Sequence, residues 1–147
     1  MLVDDDEPTN FLHQMLIEEA DCAHETVVKT SAQDALSFIK HSESKKCTAP
    51  NLIFLDINMP GMNGWEFLME YEKLPSTKKE NSVLIMLTTS LNPDDEEHAK
   101  HIFSVKEFRK KPLTTKMLDS ILDTYFNGEC VSSLASKKRD HPHEFHE

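Results

Sequence analysis

The sequence predicts an α/β fold: a doubly wound parallel sheet of five strands, covered by helices on both faces. Two observations predict it. Strand-like and helix-like segments alternate through five successive pairs along the chain, and each return to a parallel strand needs a helix-sized, right-handed connection. Asn51–Asp56 and Val83–Leu87 run apolar almost without interruption. Strands that lack polar alternation are those buried on both faces by flanking helices.

Met1–Val3 forms the end of a short first strand that runs into Asp4, Asp5 and Asp6. From Pro8 the residues Phe11, Leu12, Met15, Leu16 and Ala20 recur at helical spacing, which predicts the first helix. The Thr-Val-Val core of Glu25–Thr30 suits a second strand, and Ser31 can cap a helix carrying Ala35, Leu36 and Ile39 on one face. The polar run from His41 to Pro50 is expected to be a loop. The third strand ends on Asp56, and after the turn at Pro60–Asn63 a helix from about Gly64 carries Trp65, Phe67, Leu68 and Tyr71. Val83–Leu87 is the fourth strand, followed by a helix near Pro93, a residue well tolerated in a first turn. A fifth strand spans roughly Val105–Arg109. The last helix starts at Thr114, with Met117, Leu118, Ile121, Leu122 and Tyr125 as its apolar face. Apolar periodicity ends at Phe126, so residues 1–126 are assigned to one domain and residues 127–147 to a flexible polar tail.

A chain of 147 residues can bury one core, and a separate output domain is not expected. Acidic residues outnumber basic ones 26 to 16, a formal charge of -10, which argues against a nucleic-acid partner because phosphate backbones require a positive face. No apolar run reaches bilayer length, so neither a membrane span nor a signal peptide is expected. Cys22, Cys47 and Cys130 are an odd, dispersed set. They indicate reduced thiols, a cytoplasmic setting, and neither a disulfide framework nor a Cys-based zinc site.

Functional chemistry is expected where the strands end. In a parallel sheet the carboxyl ends lie together, and ligands bind there near the topological switch point. The first strand delivers Asp4, Asp5 and Asp6 to that edge and the third delivers Asp56. Converging carboxylates repel, and a hard cation such as Mg²⁺, held by oxygen ligands and water, relieves the repulsion. The fourth strand adds Thr88, Thr89 and Ser90, and the fifth is followed by Lys110, Lys111 and Pro112. A carboxylate nucleophile, a divalent cation, an ammonium and a hydroxyl together suit phosphoryl transfer.

The runs Val3-Asp4-Asp5-Asp6, Leu52 to Gly64, Leu87-Thr88-Thr89-Ser90, and Phe108 followed by Lys111-Pro112 closely resemble the response-regulator receiver domain, the CheY-like fold of two-component systems. The resemblance runs from Met1 to about Phe126. It implies a flavodoxin-like three-layer sandwich with strand order 2-1-3-4-5. It implies that Asp56 accepts a phosphoryl group from a phosphohistidine on a sensor histidine kinase or His-phosphotransfer protein. Mg²⁺ would be bound by Asp5 directly, by Asp4 through water or as the second acid, by Asp56, and by the backbone carbonyl of Asn58. Lys111 would pair with a phosphoryl oxygen and Thr88 would turn its hydroxyl toward it. Phe108 would be the aromatic switch that follows Thr88, and the Lys111-Pro112 bond would be cis. The output implied is altered binding to a partner protein, by a domain that is not a turnover enzyme; a phosphorelay intermediate remains the close variant.

Several features carry a plainer reading beside the functional one. Asp6, a third consecutive acid, is given a supporting place only. Thr88 and Thr89 are both good strand formers, and Thr88 is preferred through the resemblance. Trp65 is either packing or an optical reporter beside the acidic edge. Ser90 and Asn58 flank the expected path of hydrolytic water. His141, His143 and His146, like Lys137, Lys138 and Arg139, fall in the polar tail and indicate neither a metal site nor an anionic partner. A Mg²⁺-dependent phosphohydrolase with an aspartyl nucleophile is the competing class, but such enzymes carry a second acid two residues after the first, where this chain has Asn58.

Overall fold

The computed structural model describes residues 1–42, 49–89 and 91–128. Cys47, Ser90, Cys130, the histidines and basic residues beyond 136, and most of the proposed tail lie outside them. Five strands, β1 (Leu2–Val3), β2 (Val28–Lys29), β3 (Leu52–Asp56), β4 (Val83–Thr88) and β5 (Val105–Lys110), form one parallel sheet in the order β2-β1-β3-β4-β5. Helices α1 (Glu7–Ala20), α2 (Ala32–Lys40), α3 (Gly64–Glu72), α4 (Pro93–Lys100) and α5 (Thr115–Phe126) alternate with them. The doubly wound architecture and its order are those the sequence implies.

β1 has only two residues yet sits between β2 and β3, pairing Leu2 with Val28 and Phe54, and Val3 with Lys29 and Leu55. Flanking backbone bonds extend its hold: Phe54 donates to Met1 O at 2.9 Å and Asp4 to Lys29 O at 3.1 Å. β3 is buried throughout, as its unbroken apolar sequence requires. The sheet separates two cores. One packs Ala35, Leu36 and Ile39 of α2 with Phe67, Leu68 and Tyr71 of α3, and the other packs Ile17 of α1 with Leu118, Ile121 and Leu122 of α5. Each such large side chain, taken fully out of water, contributes about 1.5–3 kcal/mol.

Helix starts follow from local chemistry. Ser31, Asn63, Asn92 and Thr114 accept backbone N–H bonds at the starts of α2, α3, α4 and α5, and Asn63 with Glu66 completes a reciprocal capping box. α5 is closed by Asn127 in the left-handed conformation, with the Gly128 amide donating to Leu122 O at 3.0 Å. Asn127 and Gly128 thus complete the cap of α5.

Phe11, Leu12 and Met15 of α1 are exposed, at 62%, 61% and 42%, whereas Asn10, His13 and Ile17 turn to the sheet. The helix is phased by its N-terminal contacts. Asp6 caps it through the Thr9 amide, and Asn10 Nδ2 donates to Asp4 O at 2.8 Å. Those bonds set the rotation that places polar Asn10 and His13 inward, against the apolar count.

Candidate functional site

Three strand ends at the carboxyl edge of the sheet bring the site together. β1 leads into Asp4, β3 ends at Asp56, and β5 runs directly into Lys111. Asp4 and Asp56 are buried and Asp5 is exposed, and ligand oxygens of the three lie within 4.8 Å of one another. Lys111 Nζ stands between the two buried acids, 2.6 Å from Asp4 Oδ2 and 3.1 Å from Asp56 Oδ1. Its side chain is 11% exposed, against 7% for Asp4 and 9% for Asp56. Such pairs are far less screened than surface ion pairs.

The electrostatics follow from that enclosure. Burial, then the neighbouring charge of Asp4, raise the Asp56 carboxyl above its ordinary range, and Lys111 offsets only part of the rise. For Lys111 burial is the largest single influence and acts downward. Hydrogen bonds to and charges of Asp4 and Asp56 together outweigh it, so the ammonium is held above its ordinary value. Asp6 is pulled down by the Thr9 hydroxyl and amide.

Thr88, buried at the end of β4, accepts at its carbonyl from the Lys111 amide at 2.6 Å. Phe108 is partly buried, packs against the α2–α3 core and pairs in register with Met86. The Lys111-Pro112 bond is cis. Asn58, two residues beyond β3, is exposed. Lys110 is exposed too, so of the two adjacent lysines only Lys111 reaches the acids. Asp6 caps α1 and donates its amide to Asp4 Oδ1 at 2.9 Å, which orients that carboxylate. Trp65, partly buried at the start of α3, stacks on His98 of α4 with ring centroids 4.2 Å apart.

Gly64 is required by close approach. A Cβ there would lie 2.6 Å from Asp56 O and 2.8 Å from Ile57 Cα, and the Gly64 amide donates to Ile57 O at 2.7 Å. The start of α3 is thereby pressed against the strand end that carries Asp56.

Two residues at the site escape a motif search. Asn10 and His13 are buried beside Asp4, and His13 Nε2 accepts from the Leu113 amide at 3.2 Å. Their signal is three-residue spacing with Ile17 four further on, a helical period that polar side chains hide.

The fold and this edge are those of a receiver domain, and the family model for the response regulator receiver domain matches residues 1–123; the chain belongs to that family. Among curated proteins it is similar to response regulator Rcp1 of Synechocystis sp., 32% identical over 96 residues, or 65% of this chain and 64% of that protein. The aligned segment thus spans less than two thirds of Rcp1. A two-component response regulator from Cytophaga hutchinsonii superposes with a TM-score of 0.79 at 31% identity, covering 86% of this chain and 94% of that one. The Mn(2+)-bound form of Rcp1 superposes with a TM-score of 0.67 at 25% identity, covering 90% and 93%. No described helix is long and apolar enough to cross a membrane.

Proposed function

We propose that the protein is a response regulator whose Asp56 takes a phosphoryl group from a phosphohistidine of a sensor histidine kinase or His-phosphotransfer protein. The observation that carries this reading is the bridging of Asp4 and Asp56 by Lys111 beside exposed Asp5. An Asp56 oxygen attacks phosphorus, the phosphorus–nitrogen bond breaks, and its electron pair leaves on the imidazole nitrogen. The raised basicity of Asp56 favours attack once the carboxylate is ionised. Lys111 carries its positive charge to the phosphoryl oxygens, and Thr88 offers a hydroxyl from the adjacent strand.

Three carboxylates facing one ammonium leave a net negative, oxygen-lined cluster that fits a hard divalent cation. Asp5, Asp4, Asp56 and the Asn58 carbonyl would hold Mg²⁺, which when bound neutralises charge between the acids and the phosphoryl group. The similarity to an Rcp1 structure solved with Mn²⁺ supports this assignment.

Phosphorylation would draw on Thr88 and Phe108 to alter the face of α4, β5 and α5, which binds a partner protein. A cytoplasmic setting follows from the class of donor. The phosphohydrolase reading is disfavoured because Asn58 cannot serve as the second acid. Intact mass after incubation with Mg²⁺ and a small phosphodonor tests the reading. The wild type should gain one phosphoryl group and Asp56→Asn none; equal gain, or none in either, overturns it.

A further inference from the structure

α1 turns two polar side chains toward the sheet, and both end on backbone that supplies the site. Asn10 Nδ2 donates to the carbonyl of Asp4, and His13 Nε2 accepts from the amide of Leu113, two residues after Lys111. Each of the two side chains is only 4% exposed. Burying polar groups so deeply is costly unless they are hydrogen-bonded, and here the bonds of Asn10 Nδ2 and His13 Nε2 go to backbone that leads into or out of the site. A nitrogen that accepts must be unprotonated, and burial, acting first and most strongly, lowers the basicity of His13 in the required direction.

One turn of one helix therefore grips both the strand end that presents Asp4 and the turn that presents Lys111. Between these grips lies a cavity of about 10 Å³ lined by Asp4, Asn10, His13, Phe54 and Asp56. A Leu113 amide deprived of its acceptor would be a buried, unpaired donor, and its turn would shift to find a partner. Lys111 would move with it.

We propose that His13 is a positioning residue for phosphoryl transfer, holding the Lys111–Leu113 turn so that the Lys111 ammonium meets Asp56. The proposal rests on the function proposed above. His13 acts on the reaction only through Lys111, which separates it from residues that merely support the fold.

The test measures phosphorylation by acetyl phosphate at saturating Mg²⁺ in the full chain, with thermal unfolding recorded for every variant. His13→Leu should slow phosphorylation about tenfold, since small misplacements of a charge-stabilising group have effects of at least that size. His13→Gln, whose Oε1 can accept from the Leu113 amide, should recover to within about twofold of wild type. In a Lys111→Ala background, His13→Leu should cause no further slowing. Equal rates for His13→Leu and wild type, failure of His13→Gln to recover, or equal slowing in both backgrounds each overturn the proposal. Should His13→Leu not fold, His13→Asn, polar but too short to reach Leu113, must show the slowing, and a wild-type rate for it overturns the proposal. A wild type that takes up no phosphoryl group removes the parent function and this role with it, whereas a competent wild type with an indifferent His13 removes this role alone.

Discussion

Lys111 reaches Asp4 and Asp56 at once, its Nζ 2.6 Å from one carboxylate and 3.1 Å from the other. Lys111 and Asp4 lie 107 residues apart in the chain. Without the ammonium the two buried acids face each other uncompensated. Lys111→Met should lower stability at neutral pH by about 3 kcal/mol, the size typical of breaking a buried pair. Mg²⁺ should then stabilise the variant more than it stabilises the wild type. Thermal unfolding of both proteins with and without Mg²⁺ checks the order.

Asp56 has its folded-state pKa raised, by burial first and Asp4 second. The folded protein thus holds this proton to higher pH than the unfolded chain does. The stability it contributes is complete below the unfolded value of 3.8 and is lost as pH rises through the folded value. Asp56→Asn removes that loss and should stabilise the Mg²⁺-free protein at neutral pH by on the order of 1 kcal/mol. The gain should shrink as pH falls toward the unfolded value, and unfolding curves across that range give the comparison.

His13 is shifted the opposite way: burial lowers it, Asp4 raises it and Lys111 lowers it, with a net decrease. Its folded form stays neutral where the unfolded chain already takes a proton. The stabilising contribution is present above the unfolded value of 6.5 and is lost as pH falls toward the folded value. Replacing His13 by Gln should flatten the fall of stability in that window, measured by denaturant unfolding at stepped pH.

Gly64→Ala places a methyl group 2.6 Å from Asp56 O and 2.8 Å from Ile57 Cα. Both neighbours are backbone, so relief requires moving β3 or the start of α3. The variant should lose about 1–3 kcal/mol, the usual cost of overpacking, and should phosphorylate more slowly than wild type. Chemical denaturation and intact mass are the two measurements.

Tyr125 of α5 donates its hydroxyl to Glu107 Oε2 of β5 at 2.9 Å, and its phenol is pushed up to about 12, by burial first and then by that carboxylate. Tyr125→Phe should cost about 0.5–1.5 kcal/mol, the net worth of one such hydrogen bond. Ultraviolet titration should also lose its highest tyrosine transition. An unchanged titration would place the raised phenol elsewhere.

The fold class and the meeting of Asp4, Asp5 and Asp56 were legible in the sequence because they depend on local patterns, and the strand order followed from the resemblance alone. Apolar runs mark the strands, helical periods mark the connections, and parallel pairing brings all strand ends to one edge. The family itself rested on short motifs at those ends. Tertiary structure alone decided which way α1 faces. Apolar spacing marks a helix through Phe11, Leu12 and Met15, but its rotation is set by hydrogen bonds from Asn10 to Asp4 O and from the Leu113 amide to His13, which leave those three residues exposed. Lys111, preferred over Lys110 in the sequence through its adjacency to Pro112, is the one of the two adjacent lysines that turns inward to the acids. A linear pattern records how strongly each residue avoids water, and it holds no record of which distant backbone group will be left needing a partner.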